Sequence, residues 1–137
     1  MGERGTGSWL NVASTAACQP LPGQASYGAA KAFVLSYTRS LSAELKDTGV
    51  TATVLCPGPV DTGFGEAAGF SKQEADESLP AFMWVPARDV AKAAVDGMAK
   101  GTLVVIPGFA HRAGAAFAPP TPSRVLPPVP LQSPPRP

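Results

Sequence analysis

The run Val50-Thr51-Ala52-Thr53-Val54-Leu55-Cys56, stopped by Pro57-Gly58-Pro59, limits the architecture more tightly than any other segment. It is a β-branched, mostly apolar run. A strand of this kind belongs inside a parallel sheet, with helices packed on both faces.

The residues before it supply the rest of a strand–helix–strand unit. Trp9-Leu10-Asn11-Val12-Ala13 reads as a short strand, followed by a small-residue loop from Ser14 to Ala17 and a turn marked by Pro20, Pro22 and Gly23. Ser26 stands where an N-cap is expected, and Tyr27 to Leu45 contains no proline and only Gly28 in its first turn. Ala, Leu and Lys dominate that stretch, which predicts a long helix stopped by Gly49. Ala29, Ala32, Phe33, Val34, Leu35, Tyr37, Leu41 and Leu45 cover most of its circumference, so the expectation is packing on more than one side. Residues 61–85 read as a loop-rich insertion with weak helical character from Lys72 to Ser78. A second helix is expected from about Ala87 to Lys100, ended by Gly101. Thr102 to Ile106 then makes a third strand, closed by Pro107-Gly108. The expected fold class is α/β: three parallel strands and two long helices, half of an open doubly wound sheet. Three strands leave two open edges, so such a half-sheet is marginal alone.

From Pro119 to Pro137 nearly every second residue is proline, which places a disordered tail at 118–137 behind a folded part at 1–117. Arg124-Val125-Leu126-Pro127-Pro128-Val129-Pro130 has the form of a polyproline-II ligand for an adaptor domain, the least favoured of the functional readings. A net charge of +1 with no basic run predicts no nucleic-acid partner. No apolar run approaches the ~20 residues of a membrane span, and Met1 to Ser8 lacks a signal-peptide core, so the expected compartment is the cytoplasm with no membrane partner. Cys18 and Cys56 have no metal-ligand spacing; two reduced thiols are expected, with a single disulfide left open. His111, the only histidine, has no acidic or cysteine partner at ligand spacing and reads as a surface or loop-packing residue. Arg88, Asp89, Lys92 and Asp96 read as the solvated face of the second helix.

The chemistry gathers at the start of the first helix. Tyr27 and Lys31 are four residues apart, so they share one helical face. An ammonium one turn from a phenol favours the phenolate, which makes a tyrosine useful as a general acid/base. The pair alone is commonplace. Ser14 adds weight, because it follows the first strand at the carboxyl end where open α/β sheets place their sites. A hydroxyl there can donate to a substrate oxygen.

Asn11-Val12-Ala13-Ser14, Tyr27-Gly28-Ala29-Ala30-Lys31-Ala32-Phe33 and Cys56-Pro57-Gly58-Pro59-Val60-Asp61-Thr62 together resemble successive signature blocks of the short-chain dehydrogenase/reductase family. Order and spacing agree, and the resemblance runs from about Ser8 to Gly108. It implies a Rossmann-type sheet and NAD- or NADP-dependent oxidation of an alcohol or reduction of a carbonyl, with a small-molecule substrate and a homo-oligomeric full-length form. By that resemblance Ser14 holds the substrate oxygen and Tyr27 passes the proton. Lys31 binds the nicotinamide ribose and favours the phenolate. Pro57, Gly58, Val60 and Thr62 form the loop that receives the nicotinamide carboxamide and nearby phosphate. No metal is implied. Residues 63–85 match the variable substrate loop, where Phe64, Phe70, Phe82, Met83 and Trp84 could wall an apolar substrate or simply pack the loop.

The departures from the family lie upstream. Gly2, Gly5 and Gly7 precede the first strand instead of following one, so they do not form the family's phosphate loop. The residue that chooses between NAD and NADP and the family's catalytic asparagine have no counterpart either. The expectation is a truncated reading frame or gene fragment, inactive alone. The alternative is a non-catalytic fragment or subunit that needs a separate N-terminal half.

Overall fold

The computed structural model describes residues 5–19, 23–62, 81–109 and 111–113. The chain runs β1 (Gly7–Val12), α1 (Ala25–Glu44), β2 (Val50–Leu55), β3 (Val60–Asp61), β4 (Val85–Pro86), α2 (Ala87–Ala99) and β5 (Val104–Val105). The main sheet has the order β1-β2-β5, all parallel, with β2 in the centre as its apolar composition requires. β1 and β2 pair along their whole length, from Gly7 opposite Val50 to Val12 opposite Leu55. This is the α/β half-sheet that the sequence predicts.

Alternation along β2 sends its residues into two cores. Val54, together with Cys56 just past the strand, packs with Ala13 and with Leu35 of α1. Leu55 points the other way and packs with Val85, Val90 and Ala94, the last two from α2. Each helix therefore covers one face of the same strand. Thr53 is fully buried, and its hydroxyl has no hydrogen-bond partner. The α1 face carries one polar strut: Asn11 Nδ2 donates to Thr38 Oγ1 at 3.0 Å, and Thr38 donates to the Val34 carbonyl at 2.7 Å. That strut satisfies a buried threonine in mid-helix and ties the helix to the edge strand.

Several boundaries differ from the sequence expectations. Ser26 is not the N-cap of α1. The Gly28 N–H already bonds the Gln24 carbonyl at 2.9 Å, so Gln24 is the cap residue and Ser26 lies inside the first turn, where its backbone is helical. Gly49 is not the helix stop either. The helix ends at Glu44, and Gly49, at φ 75°, completes a separate turn that feeds β2. Residues 61–85 are not purely loop at their ends. β3 and β4 form a second, two-stranded parallel sheet, Val60 opposite Val85 and Asp61 opposite Pro86. The helical character expected from Lys72 to Ser78 and the tail from 118 onward lie outside the described residues.

The largest difference concerns α1. Instead of packing on more than one side, it buries only Leu35 and Thr38. On its outer side Phe33 and Tyr37 are 68% and 50% exposed, and their rings stack with centroids 6.0 Å apart. Apolar residues cover most of the circumference of the helix, but the described residues cover one face of it.

Candidate active site

Parallel strands end at a common edge, and the loops that leave β1 and β2 there are bonded to each other. The Ala13 N–H donates to the Leu55 carbonyl at 2.8 Å and the Thr15 N–H to the Pro57 carbonyl at 3.0 Å. Ser14 lies between these two bonds, half-buried. It caps a single 3₁₀ turn, Thr15–Ala17: its Oγ accepts from the Ala16 N–H at 3.1 Å. That bond uses an oxygen lone pair and leaves the hydroxyl proton to be donated outward. Burial pushes the Cys56 thiol up to about 11, with the nearby Cys18 adding to the rise, so it remains a neutral packing group at ordinary pH. Both cysteines are free thiols.

The start of α1 packs on this turn. A Cβ at Gly28 would stand 3.6 Å from the Ala16 carbonyl oxygen, an ordinary contact, so the helix meets the turn without crowding. Tyr27 and Lys31 are half-buried at this end of the helix. The Lys31 Nζ lies 5.7 Å from the centre of the Tyr27 ring and donates to the Val12 carbonyl, the last residue of β1, at 3.1 Å. The lysine is thus pinned to the strand end and held beside the phenol at once. Ser14, Tyr27 and Lys31 are brought to one edge by β1, its following turn and the first two turns of α1.

The loop after β2 forms the neighbouring wall. Its Pro57 carbonyl is held by Thr15 and its Pro59 carbonyl by the Val85 N–H at 3.0 Å, while Val60 enters β3. Gly58 is half-buried and Thr62 exposed. Of the aromatics expected along the substrate loop, Phe82 is 73% exposed, Trp84 is half-buried, as is the neighbouring Met83, and Phe64 and Phe70 lie outside the described residues. Among the described residues no cluster of histidine, cysteine, aspartate or glutamate could hold a metal. None of the helices described is long and apolar enough to cross a membrane.

The sequence reading missed one contributor to this edge. His111 is 8% exposed and not a surface residue: it reaches the Met83 carbonyl at 2.8 Å, and its ring lies where a Cβ of Gly58 would be. Loop packing was one of the two readings made for it, but its partners are 28 and 53 residues away in the chain, and nothing local identifies them.

A sequence profile described as short chain dehydrogenase matches residues 1–73, more than half of the chain, and includes every residue of the edge just described apart from the β4 and His111 segments. The chain belongs to the short-chain dehydrogenase family. Among relatives of this short-chain dehydrogenase chain, sulfoacetaldehyde reductase 2 of Chromohalobacter salexigens is 40% identical over 78 residues, which is 56% of this chain and 31% of that protein. A short-chain dehydrogenase from Sphingobium yanoikuyae, solved in complex with NADPH, is 31% identical with a TM-score of 0.68, covering 83% of this chain and 43% of that one. A short-chain dehydrogenase from Burkholderia cenocepacia, solved with NADP, is 27% identical with a TM-score of 0.63, covering 81% and 42%. The chain therefore spans under a third of this curated relative and less than half of these solved ones.

Proposed function

We propose that this chain carries the proton-transfer and nicotinamide-side half of an NAD(P)-dependent oxidoreductase that interconverts an alcohol and a carbonyl. The observation that carries the reading is Lys31, bonded to the Val12 carbonyl and poised over the Tyr27 ring at the carboxyl edge of the sheet. The residues present fit a nicotinamide nucleotide. One of the three ammonium protons of Lys31 goes to Val12, which leaves two for the vicinal hydroxyls of a ribose. When bound, the dinucleotide accepts or returns the hydride. Tyr27 moves the proton: in oxidation its phenolate takes the substrate O–H proton as the carbinol C–H leaves with its electron pair, and in reduction its phenol returns the proton to the new alkoxide oxygen. Ser14 donates its hydroxyl proton to the same oxygen and orients it. Lys31 holds the ribose and stabilises the phenolate. Pro57, Gly58, Val60 and Thr62 present the loop against which the carboxamide and nearby phosphate rest. The compartment proposed is the cytoplasm, and the active form proposed is a homo-oligomer acting on a small molecule.

A second reading, a non-catalytic chain that requires a separate N-terminal half, is favoured by β1. Its outer edge pairs with no described strand, and Trp9 and Val12 are each about half exposed along it. One experiment separates the two. The chain is assayed for NADPH- and NADH-linked carbonyl reduction alone and with a family-type first half added in trans. Tyr27→Phe should abolish turnover, a loss of roughly a hundredfold to ten-thousandfold, while cofactor binding stays near that of the unaltered chain. Lys31→Ala should impair both. An active Tyr27→Phe protein would refute the mechanism, and a chain silent with and without the added half would leave only the non-catalytic reading.

A further inference from the structure

The nicotinamide-side loop is held from three directions, and two of them are ordinary backbone bonds. Thr15 bonds the Pro57 carbonyl from the β1 side, and Val85 bonds the Pro59 carbonyl from the β4 side. The third is a side chain from the far end of the described chain. His111 sits in a short turn closed by the Arg112 N–H to the Gly108 carbonyl at 3.1 Å, just beyond β5. From there its ring lies against Gly58, so close that any Cβ at position 58 would overlap its Nε2 end. Its Nε2 meets the Met83 carbonyl at 2.8 Å. A carbonyl only accepts, so Nε2 carries the proton in this bond. Met83 ends the turn Ala81–Met83, where the chain returns from the 63–80 segment to β4.

We propose that His111 is a positioning residue, a latch that sets the spacing between the Gly58 loop and the Met83 turn. These two segments are the nicotinamide wall and the returning end of the substrate wall, so the proposal rests on the functional reading above. The ring does two things that no other residue type does together. The Nε2 end of the ring fills the space that the missing Cβ of Gly58 opens, and the same nitrogen donates to Met83 from a buried position. Glycine at 58 and histidine at 111 are thus complementary halves of one contact. Without the ring, Gly58 gains freedom and the Met83 carbonyl loses its buried donor, so both walls loosen while the central sheet does not.

The test compares the full chain with His111→Ala, His111→Gln, Gly58→Ala and the double variant Gly58→Ala/His111→Ala. Amide hydrogen exchange is read at Val85, bonded to Pro59, and at Val54 and Cys56, bonded to Leu103 and Val105 in the central sheet. NADPH affinity is read by titration on the same samples. His111→Ala should speed exchange at Val85 by roughly tenfold, the effect of losing one buried hydrogen bond, with Val54 and Cys56 unchanged. NADPH affinity should fall by a similar factor. His111→Gln keeps an N–H donor and should recover part of both losses. Gly58→Ala should mimic His111→Ala although the histidine is present, because its methyl evicts the ring, and the double variant should be no worse than either single one. Equal loss of protection at Val54 and Cys56 would overturn the latch in favour of general stabilisation. Faster exchange at Val85 with NADPH affinity unchanged, or strictly additive effects of the two substitutions, would also overturn it. If the unaltered chain takes up no NADPH, the cofactor reading for this chain fails, and the exchange pattern with its Gln rescue still decides the latch.

Discussion

α1 and α2 cover opposite faces of β2, and they do so in different ways. α2 is divided: Val90, Ala94 and Gly97 are buried, whereas Arg88, Asp89, Lys92 and Asp96 are exposed, with Lys92 and Asp96 joined at 2.6 Å across one turn. α1 also exposes polar residues, Ser36, Arg39, Ser40 and Glu44, but apolar ones stand among them. Its outer face presents the stacked pair Phe33 and Tyr37, and its first two turns carry Tyr27 and Lys31. α2 turns a charged row to solvent beside the exposed Val95, while α1 leaves an aromatic pair exposed and carries the candidate site at its start. The difference teaches that two helices flanking the same strand can divide differently, α2 with a charged outer row and α1 with an exposed aromatic pair.

The comparison can be broken most severely at the α1 core. Leu35→Ala removes the one large side chain that α1 buries against Val54 and Cys56, and it should destabilise the chain by about 2–5 kcal/mol in urea unfolding. A loss well under that range would mean that α1 is held by something other than this contact. The helices also approach the sheet differently, and glycine substitutions sharpen the contrast. A Cβ at Gly97 of α2 would overlap the Val105 side chain, whereas one at Gly28 of α1 meets only an ordinary contact. Gly97→Ala should therefore cost about 1–3 kcal/mol through overpacking and be relieved by adding Val105→Ala. Gly28→Ala should leave thermal stability close to that of the unaltered chain. Equal responses at the two sites would end the distinction.

A smaller effect comes from pH. Cys56 belongs to the α1-side core, and burial raises its thiol from 9.0 to about 11. The group favours the folded state fully below its unfolded value, and that contribution is lost as pH rises through the window between the two values. Thermal stability should thus decline from pH 9 toward 11, and Cys56→Ala should flatten this decline even if it lowers stability at neutral pH. The α2-side cluster of Leu55, Val85, Val90 and Ala94 contains no titrating group to produce such a slope. The smallest effect belongs to the outer face of α2. Lys92→Ala breaks an exposed pair and should leave the melting temperature and any turnover unchanged. A measurable loss of turnover would show that α2 takes part in the chemistry after all.

Much of the candidate site was legible because its spacing is local. Four residues separate Tyr27 from Lys31, and a helix of any packing places them on one face. Ser14 follows a strand, and a parallel sheet puts the ends of its strands together. The chain's membership of the short-chain dehydrogenase family was legible for the same reason, since its signature blocks are contiguous runs. The Pro57–Thr62 loop was recognised as a unit, but its three anchors, Thr15, Val85 and His111, were not. They come from separate parts of the chain, and no periodicity links them.

From its own sequence the chain determined a central strand buried on both faces, two flanking helices and parallel pairing. These follow from side-chain size and repeat, which act within a few residues. Tertiary structure alone decided which apolar residues of α1 stay bare, because a helix with apolar residues around most of its circumference has no single preferred face until the sheet offers it one. It also decided that residues around positions 60 and 85 pair as strands, that Lys31 reaches the end of β1, and that a lone histidine at position 111 closes on a glycine 53 residues earlier. Each of these depends on surfaces that exist only after the sheet has formed, and their energies come from burial and hydrogen bonds between segments that are distant in the chain.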